Sequence, residues 1–224
     1  TKYSSSPATA DLFTVDSASP AIDRTEFLSA LMSVMYLATR IRPDMLLPLS
    51  YLATRANAPT QQLQVHLTRV LQYLNATRDM HLRFTPTEYK LYAWIDASYN
   101  VHCDSKGHSG ISITMGRHNA PLYCRSSKQK LVTRSSTAAE LIAVDSAMVP
   151  VMDLGQLLDF FGCLEEPTII FQDNNSSIWF AEHNLTRSGK MRHLVNRFHY
   201  ITEQVKLGKI TLVHCNTMDM IVAI

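Results

Sequence analysis

Three carboxylates stand out by type and by place: Asp96, Glu140 and Asp173. Asp96 follows the short apolar run Leu91-Tyr92-Ala93-Trp94-Ile95, and Asp173 follows Thr168–Gln172, so each sits where a strand should end. Glu140 falls one turn into a helix whose start is marked by Ser135-Ser136-Thr137. Adjacent strand ends, with a helix crossing over them, can bring such groups together. Carboxylates gathered without lysine or arginine beside them repel one another unless divalent cations neutralise them. Hard oxygen ligands select Mg²⁺ or Mn²⁺, and two such ions can activate a water and stabilise the leaving oxygen in phosphodiester cleavage. Spacing alone leaves the plainer alternative open, because the chain has 19 acidic residues and most acids are solvated surface groups.

Six cations have the right chemistry for phosphate: Lys128, Lys130, Arg134, Lys190, Arg192 and Arg197. Taken singly they read as a solvated face. The net charge is only +2, so a nucleic-acid partner would require these residues to be concentrated locally. The four cysteines form no C-x-x-C pair and fit no common zinc module; they read as small buried or half-buried thiols in a reducing compartment. No secretory apolar core opens the chain and no apolar run approaches the ~18 residues of a membrane span, so no membrane partner is expected. Trp94, Trp179 and the methionines read as core residues.

The elements that must position the acids follow from texture. Residues 1–22, rich in Ser, Thr, Ala and Pro without an apolar period, read as an extended lead-in. Residues 23–88 read as a helical segment. Phe27, Leu31, Val34, Met35 and Ala38 recur at helical spacing, Arg42-Pro43-Asp44 breaks that helix, and a second runs from Pro43 to about Ala56. A third carries Leu63, Leu67, Val70, Leu71 and Leu74 on one stripe. From residue 89 onward the texture becomes α/β. Strands are expected at 91–95, 110–115, 121–124, 168–172 and 210–214. Helices are expected at 136–148, 151–161 (after Pro150), 176–183 and 191–207, with another beginning near Ile224. Three strands leading into strand–helix alternation predict a mixed five-stranded sheet with flanking helices, preceded by a small helical segment.

The words around the acids resemble the ribonuclease H domain of copia-type LTR retrotransposon reverse transcriptases. The similar blocks are Ile95-Asp96-Ala97-Ser98-Tyr99 with Lys106-Gly107-His108-Ser109-Gly110, then Ser127-Lys128-Gln129-Lys130-Leu131, then Ser135-Ser136-Thr137-Ala138-Ala139-Glu140-Leu141. Gln172-Asp173-Asn174-Asn175-Ser176-Ser177 resembles the family's aspartate–asparagine block, and Arg187–His199 its basic helix. The blocks occur in family order over about Tyr89 to Ile224. Upstream, Leu37-Ala38-Thr39, Arg42-Pro43-Asp44 and Tyr73-Leu74-Asn75-Ala76-Thr77 resemble the thumb and connection segment that precedes this domain.

The resemblance implies a ribonuclease H-like fold and hydrolysis of the RNA strand of RNA–DNA hybrids. Asp96, Glu140 and Asp173 match three of the four acids that hold two Mg²⁺ (or Mn²⁺) ions, with no small-molecule cofactor. Lys128, Arg134, Asn174, Lys190 and Arg197 become the candidate hybrid contacts. The fourth family acid falls in Met220-Ile221-Val222-Ala223-Ile224, where Ala223 stands in place of aspartate; Asp219, one helical turn earlier, is the candidate substitute. Alanine there is expected to impair catalysis, and the alternative is a non-catalytic hybrid-binding or scaffold module of a decayed or repurposed element. Both chain ends read as cuts through a longer polypeptide. The polymerase's own catalytic block would precede residue 1, making the upstream polymerase domain an expected partner and the cytoplasmic virus-like particle, or the nucleus, the expected location.

Overall fold

The computed structural model describes residues 4–85, 88–183 and 195–222. It begins with a helical layer of α1 (Arg24–Arg40), α2 (Leu46–Thr54) and α3 (Gln61–Ala76). Asp23 caps α1 by accepting the Glu26 N–H at 2.7 Å, and Phe27, Leu31, Val34 and Ala38 form its buried stripe. Pro43 ends that helix by starting a 3₁₀ turn, Pro43–Met45. The flanking Arg42 is buried. Its guanidinium pairs with Asp44 at 2.8 Å and donates to the Thr77 carbonyl at 2.9 Å, while the Tyr73 hydroxyl donates to Asp44 at 2.8 Å. The burial cost of this charge is offset by Asp44, the Thr77 carbonyl and the Thr77 hydroxyl, which lock the end of α1 to the end of α3.

Two expectations for this layer need correction. On α3, Leu63, Leu67 and Val70 are buried, but Leu71 is 39% exposed and Tyr73 faces the core instead. At 100° per residue, 63, 67, 70 and 73 share one face about 120° wide, and 71 falls beyond its edge. The lead-in is no loose strap: Leu12 is buried among the helices, Phe13 packs edge-on to Tyr51 with ring centroids 4.9 Å apart, and Ala21 forms a β-bridge with Thr60. Single anchors in a polar stretch leave no period to read.

The sheet has strand order β3-β2-β1-β4-β5. Its members are β1 (Lys90–Ser98), β2 (His108–Met115), β3 (Pro121–Lys128), β4 (Glu165–Gln172) and β5 (Ile210–His214). The pairs β1–β2 and β2–β3 are antiparallel, and β1–β4 and β4–β5 are parallel. This is the expected mixed sheet, with every strand placed and four of the five longer than the apolar runs alone suggest. Alternation sorts β1 cleanly. Leu91, Ala93, Ile95 and Ala97 pack on α4 (Ser136–Phe160), and Tyr92 and Trp94 lie on the other face with Phe171 and Met220.

Helix α4 is one 25-residue helix, not two, and Pro150 lies inside it. The missing N–H forfeits the bond to the Ser146 carbonyl, but Met148 and Val151 on either side are buried in the core, which holds the helix through the defect. By length and composition alone α4 passes for a membrane span, against the expectation of no such run. Its residues Ala139, Ala143, Val144, Ala147, Met148 and Val151 are instead buried in the core with the sheet, and Ala138, Leu141 and Ile142 pack with Phe198. Helices α5 (Asn175–His183) and α6 (described from Val195–Lys206) flank the same face. After β5 comes a 3₁₀ turn, Thr217–Asp219, then extended backbone at Met220; the helix expected to begin near Ile224 lies outside the described residues. Met220 is buried against Trp94 and Phe171.

The core expectation for Trp94 holds, but Trp179 is 48% exposed. Met45 and Met148 are core, whereas Met32, Met80 and Met218 are exposed. Of the four free cysteines Cys103 is exposed and the others half-buried.

Candidate metal centre

The helical layer and the sheet meet through a buried polar cluster. Ser50 on α2 lies 3.2 Å from His108 Nε2 and 3.0 Å from the Ser126 hydroxyl, and His108 Nε2 lies 2.7 Å from Ser126. His102 and His108 are linked ring to ring at 3.0 Å, with Phe13 edge-on to both. Burial holds both imidazoles far below their ordinary range, His108 at about 3 and His102 at about 4, so both are neutral at physiological pH. This contact fixes the helical layer on the sheet beside the end of β1.

Asp96 sits near the end of β1, opposite Gly110 of β2. Asp173 follows the last residue of β4, the parallel neighbour of β1. Ser135 starts α4 by accepting the Ala138 N–H at 3.2 Å, which sets Glu140 in its first turns above the strand ends. Nearby, Gly107 leaves no room for a side chain: a Cβ there would come within 2.7 Å of the Ser98 carbonyl oxygen.

The three acids converge, with one carboxylate oxygen of each lying within 4.8 Å of the others. Asp96 Oδ1 accepts the Ala97 N–H at 2.9 Å, and Asp173 Oδ2 accepts the Thr217 hydroxyl at 2.9 Å. Glu140 is buried, and its Oε2 has no hydrogen-bond partner. Burial first, then the charges of Asp96 and Asp173, push its carboxyl up to about 8. A buried carboxyl with one oxygen lacking a donor, close to two further carboxylates, lacks the positive charge that would make it stable ionised. The donor set is all oxygen and carries up to three negative charges, which fits a hard divalent cation such as Mg²⁺ or Mn²⁺.

Asp219, the candidate substitute for the fourth acid, is exposed in the 3₁₀ turn and lies outside this group of three. Ala223 falls outside the described residues. Its neighbour Val222 lines a cleft of about 290 Å³ with Gly110, the register partner of Asp96.

The expected hybrid contacts are scattered in role. Lys128 and Arg197 line a cleft of about 630 Å³ between β3, α4 and α6, together with Arg125 and Lys130. Lys128 is paired to Asp104 at 2.9 Å and Arg197 to Asp145 at 2.9 Å, so neither is an unpaired cation. None of the three acids lines that cleft. Arg134 is exposed just before α4. Asn174 caps α5, its Oδ1 accepting the Ser177 N–H at 3.1 Å. Lys190 lies outside the described residues. Thr217, which holds Asp173, was missed as a site residue, because it precedes no strand or helix pattern that would flag it.

A mixed five-stranded sheet of this order, with acids at the ends of its two central strands and on the covering helix, defines a ribonuclease H-like domain. Solved structures agree on the fold. The chain superposes with TM-score 0.55 on a foamy viral protease-reverse transcriptase in complex with dsDNA, covering 93% of this chain and 42% of that one at 14% identity. It superposes with TM-score 0.53 on the same kind of enzyme in complex with RNA/DNA hybrid, covering 93% and 27% at 15% identity.

Sequence relatives narrow the class. The Retrovirus-related Pol polyprotein from transposon RE2 of Arabidopsis thaliana is 30% identical over 217 residues, 96% of this chain and 15% of that protein. Its counterpart from transposon RE1 is 30% identical over 202 residues, 89% of this chain and 14% of that protein. Secreted RxLR effector protein 161 of Plasmopara viticola is 32% identical over 122 residues, 54% of this chain and 85% of that protein. No family model matches the chain. The chain belongs to the copia-type retrotransposon Pol polyproteins, as their ribonuclease H-like region. It spans about a seventh of the length of the curated polyproteins it matches.

Proposed function

We propose that this domain binds RNA–DNA hybrid and hydrolyses its RNA strand with a divalent cation held by Asp96, Glu140 and Asp173, at a rate limited by alanine at position 223. The observation that carries the reading is the convergence of the three acids, one of them the buried Glu140, whose Oε2 has no hydrogen-bond partner. A foamy viral reverse transcriptase of the same fold has been solved with RNA/DNA hybrid, which supports the choice of ligand.

When bound, the cation supplies Lewis acidity at a phosphoryl oxygen and makes a bound water more acidic. The chain's own part is to hold and aim the ligands. Thr217 fixes Asp173, the Ala97 N–H fixes Asp96, and burial keeps bulk water from Glu140. Phosphates of the hybrid meet the exposed Lys130 and Arg134 at the start of α4. Lys128 and Arg197 contribute to the field around the cleft only in part, because their carboxylate partners offset them. Recognition through backbone shape and 2′-hydroxyls needs no base-stacking residue.

The test is a labelled hybrid incubated with the chain over a Mg²⁺ and Mn²⁺ titration. Slow, cation-dependent cleavage that Asp96→Asn abolishes, with hybrid binding retained in chelator, is the expected result. Cleavage that survives Asp96→Asn removes the site assignment. Ala223 favours a second reading, a hybrid-gripping module without catalysis; binding with no cleavage at any cation concentration would establish it.

A further inference from the structure

We infer that Gln129 is a positioning residue, which fixes the backbone at Glu140 by donating from a buried carboxamide to the Ala139 carbonyl; the inference rests on the cation site proposed above.

Gln129 directly follows β3 and is only 5% exposed. Its main-chain N–H donates to the Gly107 carbonyl at 2.8 Å, which carries the β2–β3 pairing one step past His108 and Lys128. Its Nε2 has two hydrogens and serves two acceptors, the Ser109 hydroxyl at 2.8 Å and the Ala139 carbonyl at 2.9 Å. A main-chain carbonyl can only accept, so the nitrogen must face Ala139 and the amide oxygen must face away. That oxygen, Oε1, is buried and has no hydrogen-bond partner. Gly107 makes the room for it, since a Cβ there would lie 2.7 Å from Oε1.

A buried acceptor left unserved is a cost, and a methionine of similar length would avoid it. What the amide supplies is its pair of donor bonds. One reaches β2 at Ser109, the register partner of Ala97, next to Asp96. The other reaches α4 at the carbonyl of the peptide unit whose N–H belongs to Glu140. That unit is planar, so holding its oxygen holds the plane from which the Glu140 side chain departs. The Ala139 N–H donates to the Ser135 carbonyl at 3.1 Å, a bond that ties this turn only to its own helix; Gln129 ties it to the sheet that carries Asp96. Ala139 and Ala143 also pack on the sheet, but apolar contact has no direction. Ligands of a cation need placement to within about 0.5 Å, which directional bonds from a buried neighbour provide.

The test is Mn²⁺ binding, measured by calorimetry on the metal-free 224-residue chain and on Gln129→Met, which keeps the length of the side chain and removes both donors. An affinity lower by about ten-fold is expected, the scale for groups that hold a ligand in place. Val151→Ala is the control, because Val151 lies in the same contact of α4 with the sheet, farther along the helix from Glu140. It should lower the melting temperature and leave Mn²⁺ affinity unchanged. Ser109→Ala, which removes one of the two acceptors that orient the amide, should give a smaller loss of affinity and serves if Gln129→Met does not fold. An affinity equal to that of the wild type in whichever of these two variants folds, or a loss that Val151→Ala reproduces, overturns the inference while leaving the cation site standing. A wild-type chain that takes up no Mn²⁺ overturns the site reading and this inference with it.

Discussion

The Thr217 hydroxyl donates to Asp173 Oδ2 at 2.9 Å, joining the turn after β5 to the acid after β4. The bond fixes which carboxylate oxygen of Asp173 remains for a cation. Thr217→Val, of the same shape without the donor, is expected to weaken Mn²⁺ binding about ten-fold, and Thr217→Ser to restore it. Binding isotherms for the three proteins decide this, and identical isotherms would show that Asp173 is oriented from elsewhere.

Glu140 gives the metal-free protein a pH dependence of definite sign. Its carboxyl is raised from an ordinary value of 4.5 to about 8 in the folded state. The native state therefore holds a proton that the unfolded chain releases. This stability is fully present below about 4.5 and is lost as pH rises through about 8. In chelator, urea midpoints should fall between pH 5.5 and 8.5 for the wild type and fall less for Glu140→Gln. Mn²⁺ should reverse the trend, since cation binding displaces the proton. Parallel pH curves for the two proteins would contradict the burial argument.

The helical layer should unfold together with the sheet. His108 is fully buried between Ser50 and Ser126, and its ordinary value of 6.5 is depressed to about 3 by burial. A base depressed in the folded state gives stability that is present above about 6.5 and lost as pH falls toward about 3. His108→Leu leaves two hydroxyls and the His102 ring without that partner, and should cost about 1–3 kcal/mol. Denaturation followed by Trp94 fluorescence and by far-UV circular dichroism should give one shared transition. Two separated transitions would show that the layers are independent.

Much of this was legible in the sequence, for identifiable reasons. Asp96 and Asp173 stand out by the family-like blocks that hold them and by their place after short apolar runs, and the parallel pairing of β1 with β4 places such ends side by side. Arg42-Pro43-Asp44 was read as a helix break, but the buried Arg42–Asp44–Tyr73–Thr77 network that gives those residues their purpose depends on α3 folding back by more than thirty positions. Leu12 and Phe13 had no period, and Leu71 followed the stripe one residue too far. The continuity of α4 through Pro150 was hidden because the local rule against proline is overridden by burial on both sides.

Position 223 supplies a gain-of-function test. The resemblance to copia-type ribonuclease H domains places an aspartate where Ala223 stands, and Val222 reaches the cleft beside Gly110. Ala223→Asp is expected to raise the rate of hybrid cleavage at saturating Mg²⁺ by about ten-fold or more, each ~1.4 kcal/mol of added transition-state stabilisation being one factor of ten. Equal rates for the two proteins would show that three acids suffice here.

The central claim is that Asp96, Glu140 and Asp173 form one divalent-cation site, and counting bound Mn²⁺ by electron paramagnetic resonance addresses it most directly. Octahedral Mg²⁺ and Mn²⁺ keep several waters and need only one or two carboxylates, so the wild-type chain should hold about one ion without a fourth acid, and Asp96→Asn and Glu140→Gln, each removing one of the three charges that attract it, should lose the ion at Mn²⁺ concentrations that just saturate the wild type. Retention of the ion by both variants, or its absence from the wild type, would contradict the account.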